Sequence, residues 1–196
     1  EPAHLVLRCY LLGALSTLKY DWYRDGAASA TAQAHYNPAF RIYFDADGST
    51  ATTTDRGYLV YERAYNPNTA AVPTDQWITD DIYNFNGAGQ SANLWMVNFG
   101  NANGSVLEVY NRDITDWLTT PNPNPAYPTL SANTIIYGVS MGIGSGWNPY
   151  VGAVDNAMIG FTGAPVYSWN FEVVPAPGAM ALLGLGGLMA ARRRRA

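Results

Sequence analysis

Three aspartates fall within one short stretch: Asp45 and Asp47 in the run Asp45-Ala46-Asp47-Gly48, and Asp55 a few residues on. Carboxylates at alternate positions ahead of a glycine resemble the opening of a calcium loop, since a hard cation takes oxygen ligands and glycine permits the sharp turn. The spacing then departs from an EF-hand, because the twelfth position from Asp45 holds Arg56 where a bidentate glutamate is required. Two alternatives stay open here, a structural calcium site or a plain Asx turn in which an aspartate side chain bonds the backbone just beyond it.

Other catalytic patterns find little footing. A retaining glucanase needs two carboxylates flanking the scissile bond about 5–5.5 Å apart, which a strand supplies as Glu-x-Asp-x-x-Glu. Neither Thr79-Asp80-Asp81-Ile82 nor Glu62-Arg63 has that spacing. There is no Gly-x-Ser-x-Gly for a nucleophile elbow. His4 and His35 are far apart in the sequence, with neither a cysteine nor a second histidine near His35, which argues against zinc or a histidine base. Gly142-x-Gly144-x-Gly146 lacks the helix and lysine of a nucleotide loop and reads as a turn. Of Trp77, Trp95, Trp117 and Trp147, most are expected in the core; Trp147, beside Asn148 in a loop, is the candidate for stacking on a sugar ring.

The elements that would position these groups are strands. The chain is 48% hydrophobic and 13% charged, with 19 glycines and 12 prolines, which suits short strands and many turns rather than helices. Leu18, Tyr20 and Trp22 alternate with Lys19, Asp21 and Tyr23, and Phe40, Ile42 and Phe44 alternate with Arg41 and Tyr43, the period of a half-buried strand. Further strands are predicted over 57–65, 77–83, 94–99, 106–110, 134–141, 150–161 and 166–172. Asn101 to Gly104 forms a hairpin turn, and Asp113 caps a short helical turn that Pro121 and Pro123 forbid from extending. About nine strands in one domain predict an all-β, two-sheet jelly-roll β-sandwich over 15–172. Residues 1–14 are assigned to a separate N-terminal segment. Its apolar run, Leu5 to Leu12, is interrupted by Arg8 and makes a poor signal peptide, so an export leader is expected to be missing or already removed.

The net charge is −4, but four of the eleven basic residues are Arg192 to Arg195, leaving seven against fifteen acidic residues in the body. A body charge of −8 is unsuited to nucleic acid, which demands a positive surface. Cys9 is the only cysteine, so no internal disulfide forms.

Residues 173–196 combine Val174-Pro175-Ala176-Pro177, an uncharged glycine-bearing run from Ala179 to Ala191, and Arg192, Arg193, Arg194 and Arg195. As a helix, 179–191 spans roughly 20 Å, and 173–191 roughly 28 Å, against a hydrocarbon core of about 30 Å. The arginines would hold the end of such a helix on the cytoplasmic side and leave the body outside.

This order resembles the PEP-CTERM sorting signal of exopolysaccharide-producing Gram-negative bacteria, with Pro175 and Pro177 at the two signature prolines. Ala176 stands where the family usually has glutamate, a departure that bears on processing. The resemblance implies export, a transient inner-membrane anchor, processing by exosortase, and delivery to the cell envelope, surface or extracellular matrix. In the body, Asp21-Trp22-Tyr23-Arg24-Asp25, Tyr58-Leu59-Val60-Tyr61-Glu62, Gly144-Ser145-Gly146-Trp147, Val154-Asp155-Asn156 and Tyr167 to Glu172 are similar to ectodomains of that family, concanavalin-like or galactose-binding-like in outline. By that likeness Asp155 is a second candidate calcium ligand, with an ordinary strand aspartate as the alternative. The expectation is a non-enzymatic surface or matrix protein, glycan-binding or structural in exopolysaccharide, needing no cofactor beyond such a calcium. The runner-up is a glycan-degrading enzyme with a non-standard site.

Overall fold

Strand β2 (Leu15–Arg24) turns the alternating pattern into structure: Leu18, Tyr20 and Trp22 are completely buried, while Lys19, Asp21 and Tyr23 remain partly exposed. The computed structural model describes residues 3–171 other than 50, 67–70, 88–89, 100–105, 108, 126, 145–146 and 148. The sorting segment 173–196 lies outside the described residues, as does Asn148. Among the described residues no helix is long and apolar enough to cross a membrane.

The remaining elements are β1 (Ala3–Leu11), β3 (Ala39–Asp45), β4 (Arg56–Tyr61), β5 (Trp77–Asp81), β6 (Leu94–Asn98), β7 (Val106–Leu107), α1 (Ile114–Thr119), β8 (Ile135–Gly142), β9 (Gly152–Phe161) and β10 (Tyr167–Trp169). They form two antiparallel sheets, one of six strands in the order β1-β8-β3-β4-β6-β7 and one of four in the order β10-β9-β2-β5. The sheets share one core: Tyr20 of β2 meets Phe40 of β3 and Tyr61 of β4 edge-on, at centroid separations of 5.4 and 6.3 Å. Burying each large apolar side chain contributes about 1.5–3 kcal/mol, so the β-sandwich-like body is held by packing.

Three departures from the sequence expectation have local causes. Strand β1 pairs with β8, so the larger sheet takes in residues assigned to a separate segment at 1–14; Arg8 breaks the apolar pattern that would have marked the strand. Strand β4 stops at Tyr61 rather than reaching Tyr65, because Arg63 turns away in a short 3₁₀ segment to pair with Asp80 at 2.7 Å. Strand β10 is three residues long, shorter than its apolar run. Helix α1 forms where expected: the Asp113 carboxylate accepts from the Asp116 N–H at 2.8 Å, and Asp116 reciprocates.

Two buried polar hubs brace this frame. Asp80, 1% exposed, accepts from Arg63, from Trp22 Nε1 at 3.0 Å and from the Tyr61 hydroxyl at 2.8 Å. Arg24, 4% exposed, donates to the carbonyls of Ser29, Ala32, Gln33, Ala34 and Tyr36. Five carbonyl dipoles there do the work of a counter-ion and organise the loop that follows β2.

Candidate functional site

The inner positions of β3, β4 and β6 are apolar, as a core requires, but so are many of the outer ones. On β3 the outward residues are Ala39, Arg41, Tyr43 and Asp45; on β4 they are Arg56, Tyr58, Val60 and then Glu62; on β6 they are Trp95 and Val97, followed by Phe99. The strand register aligns Tyr43 with Tyr58 and Val97, and Arg41 with Val60 and Trp95. Antiparallel pairing thus gathers side chains from three strands onto one solvent-facing sheet surface.

Two aromatic groups stand on that surface. Tyr58 lies 5.5 Å from Tyr43 and 5.2 Å from Phe99, with Tyr137 of β8 6.0 Å from Tyr43. Tyr65 and Tyr110 stack at 4.2 Å, and Trp95 stands edge-on to both. Between the groups, Val60 and Val97 form a small apolar floor. Phe99 is 49% and Tyr65 39% exposed, well beyond what the hydrophobic effect alone would leave on a sheet. Burial raises the Tyr58, Tyr65 and Tyr137 phenols above their ordinary range, so at neutral pH they are hydroxyl donors.

Glu62 continues the outer row of β4 and is 6% exposed. Desolvation pushes its carboxyl up to about 7, an effect that nearby Trp95 and Arg41 offset only in part. The Trp95 indole N–H is buried beside it yet closes no hydrogen bond of normal geometry. At neutral pH Glu62 therefore sits near its midpoint, one adjustable acid amid aromatic rings.

Sequence reasoning missed this surface by looking for exposed aromatics in loops. A signal existed, in aromatics out of phase with the buried positions: Tyr43 between Ile42 and Phe44, Tyr58 beside Leu59, Trp95 between Leu94 and Met96.

Trp147 stacks on Tyr36 at 4.4 Å with the planes 5° apart, so one of its faces is taken by the protein. Trp117 is in the core as expected, but Trp77 is 54% exposed, because β5 is an edge strand and the indole leans on Tyr23 beside it. His35 stands edge-on to Tyr36.

Asp45, Asp47 and Asp55 come together, each offering a carboxylate oxygen within 4.8 Å of the others. The Asx turn is also present: Asp47 accepts from the Ser49 N–H at 2.6 Å, and Gly48 takes φ +74°. Asp155 stays apart from that group. One of its oxygens accepts from the N–H groups of Asn156 and Phe171, and Asp21 opposite it is bonded to Thr79 and Asn156.

Compared with models of protein families, with curated proteins and with solved structures, the chain gives no match.

Proposed function

We propose that this chain is an exported, non-enzymatic β-sandwich that binds glycan on the outer face of its six-stranded sheet, and that residues 173–196 deliver it to the cell surface or extracellular matrix. The aromatic face carries the proposal. Pyranose rings present apolar faces that pack on aromatic rings, and Arg41 and the tyrosine hydroxyls offer hydrogen bonds beside them. Nested antiparallel pairing, with β3 against β8 and β2 against β9, supports a jelly-roll or concanavalin-like arrangement, in which such a face is open to a chain-like ligand. Delivery rests on the order of prolines, apolar run and arginines at 173–196, with exosortase and the inner membrane as transient partners.

The runner-up, a glycan-degrading enzyme, draws on Glu62, whose raised pKa suits a general acid. Hydrolysis needs a second carboxyl about 5–9.5 Å away. The other described carboxylate on this face is Asp45, paired in register with Arg56, and along the strand from Arg56 to Glu62 the separation is roughly 20 Å. Binding is the better account of the geometry.

The test is calorimetry of the chain with β-glucans and with exopolysaccharide, using Phe99→Ala and Tyr65→Ala, both at exposed rings. Each variant should keep its fold and bind about tenfold more weakly. Parental affinity in both, or release of reducing ends by the parent, sinks the assignment. Delivery is tested by fractionating the producing cells. Protein that stays whole in the inner membrane at steady state rules out processing.

A further inference from the structure

The β3–β4 hairpin end carries a group of charges that the glycan face does not use. We infer that Asp45, Asp47 and Asp55 form a calcium site there. Three carboxylates converge with oxygens within 4.8 Å of one another, and the guanidinium of Arg56 lies 2.8 Å from Asp45 Oδ2.

Hydrogen-bond donors are shared unevenly among these carboxylate oxygens. Asp45 is 1% exposed, and its Oδ1 is buried without any hydrogen-bond donor. Asp55 repeats the pattern: Oδ2 accepts from the Asp47 N–H at 2.8 Å, while Oδ1 is buried and donor-free. Each of these two aspartates therefore has one oxygen satisfied by the protein and one left with nothing, an arrangement that costs free energy unless a ligand completes it. Asp47 is oriented by the Ser49 N–H, which donates to its Oδ1 at 2.6 Å, and by the Thr52 hydroxyl, at 3.0 Å from its Oδ2.

The donor set selects the ion. It is all oxygen, with neither histidine nor cysteine in the group, so zinc and copper have no preferred ligand. Three carboxylates on an irregular hairpin loop suit the flexible coordination of calcium, with water and loop carbonyls completing it, better than the rigid octahedron of magnesium. An ion here would fasten the end of β3 to the start of β4, where Arg56 also lies 5.8 Å from the Tyr137 ring of the outer face. The site stands on its own residues and does not depend on the glycan assignment.

The full chain, stripped with chelator, is titrated with calcium chloride and with magnesium chloride by calorimetry and by thermal unfolding. One calcium per chain is expected, with a melting temperature that rises through the millimolar range. Asp47→Asn and Asp55→Asn should each weaken binding at least about tenfold, and Asp155→Asn should leave it unchanged. Asp47 is exposed, so its variant keeps the test meaningful even where Asp55→Asn unfolds. The inference is overturned by no heat and no thermal shift at about 5 mM calcium. It is equally overturned by binding that survives in the folded variants, or by magnesium acting as strongly as calcium.

Discussion

Replacing Glu62 by glutamine removes a group whose ionisation the fold resists. In the unfolded chain this carboxyl ionises near its ordinary value of 4.5, whereas burial in the folded sheet raises it to about 7. Between those values the folded state holds the extra proton, so stability falls as pH rises, and the full cost is in place above about pH 7. At about 1.4 kcal/mol for each pKa unit, the difference amounts to about 3 kcal/mol. Glu62→Gln keeps the shape and cannot ionise. Relative to the parent it should therefore be about 3 kcal/mol more stable at about pH 8 than at about pH 4, or roughly 6–12 °C in melting temperature. Urea unfolding of both proteins at the two pH values measures it, and subtracting parent from variant cancels every other titrating group. A variant whose advantage is the same at both pH values would refute the claim that Glu62 is buried at the cost of its charge.

The rest of the frame makes equally specific demands. Asp80→Ala leaves Arg63, Trp22 and Tyr61 without their common acceptor and should lower unfolding free energy by about 3–5 kcal/mol in denaturant titration; a loss under about 1 kcal/mol would mean the hub is not coupled. Arg24→Lys keeps the charge but cannot span five carbonyls, so the stretch from Ser29 to Tyr36 should become sensitive to limited proteolysis and stability should drop by about 2–3 kcal/mol. Parental protease resistance would show that the loop holds itself. Gly57→Ala places a methyl against the Val97 carbonyl of the neighbouring strand and should cost about 1–3 kcal/mol in the same titration, with a neutral result disproving close contact of β4 and β6.

Much of the fold was legible because strand formation is written in a two-residue period. Leu18, Tyr20 and Trp22, and Phe40, Ile42 and Phe44, were named as one-faced sets from spacing alone, and they are the core. Asp113 is legible as a cap because capping too is local, joining residues three apart. Asp45, Asp47 and Asp55 are likewise legible as a group, because they fall within one short stretch. What the sequence withheld was everything that depends on which strand lies beside which. The Asp55 carboxylate meets that of Asp45 because β3 and β4 pair with Asp45 opposite Arg56; Tyr43, Tyr58 and Phe99 become one surface because three strands share a register; Glu62 becomes a weaker acid because folding buries it. Local dihedral preference and side-chain period act over a few residues and are readable along the chain. Register, burial and electrostatic environment are set by contacts between distant segments, and only the folded arrangement of the two sheets determines them.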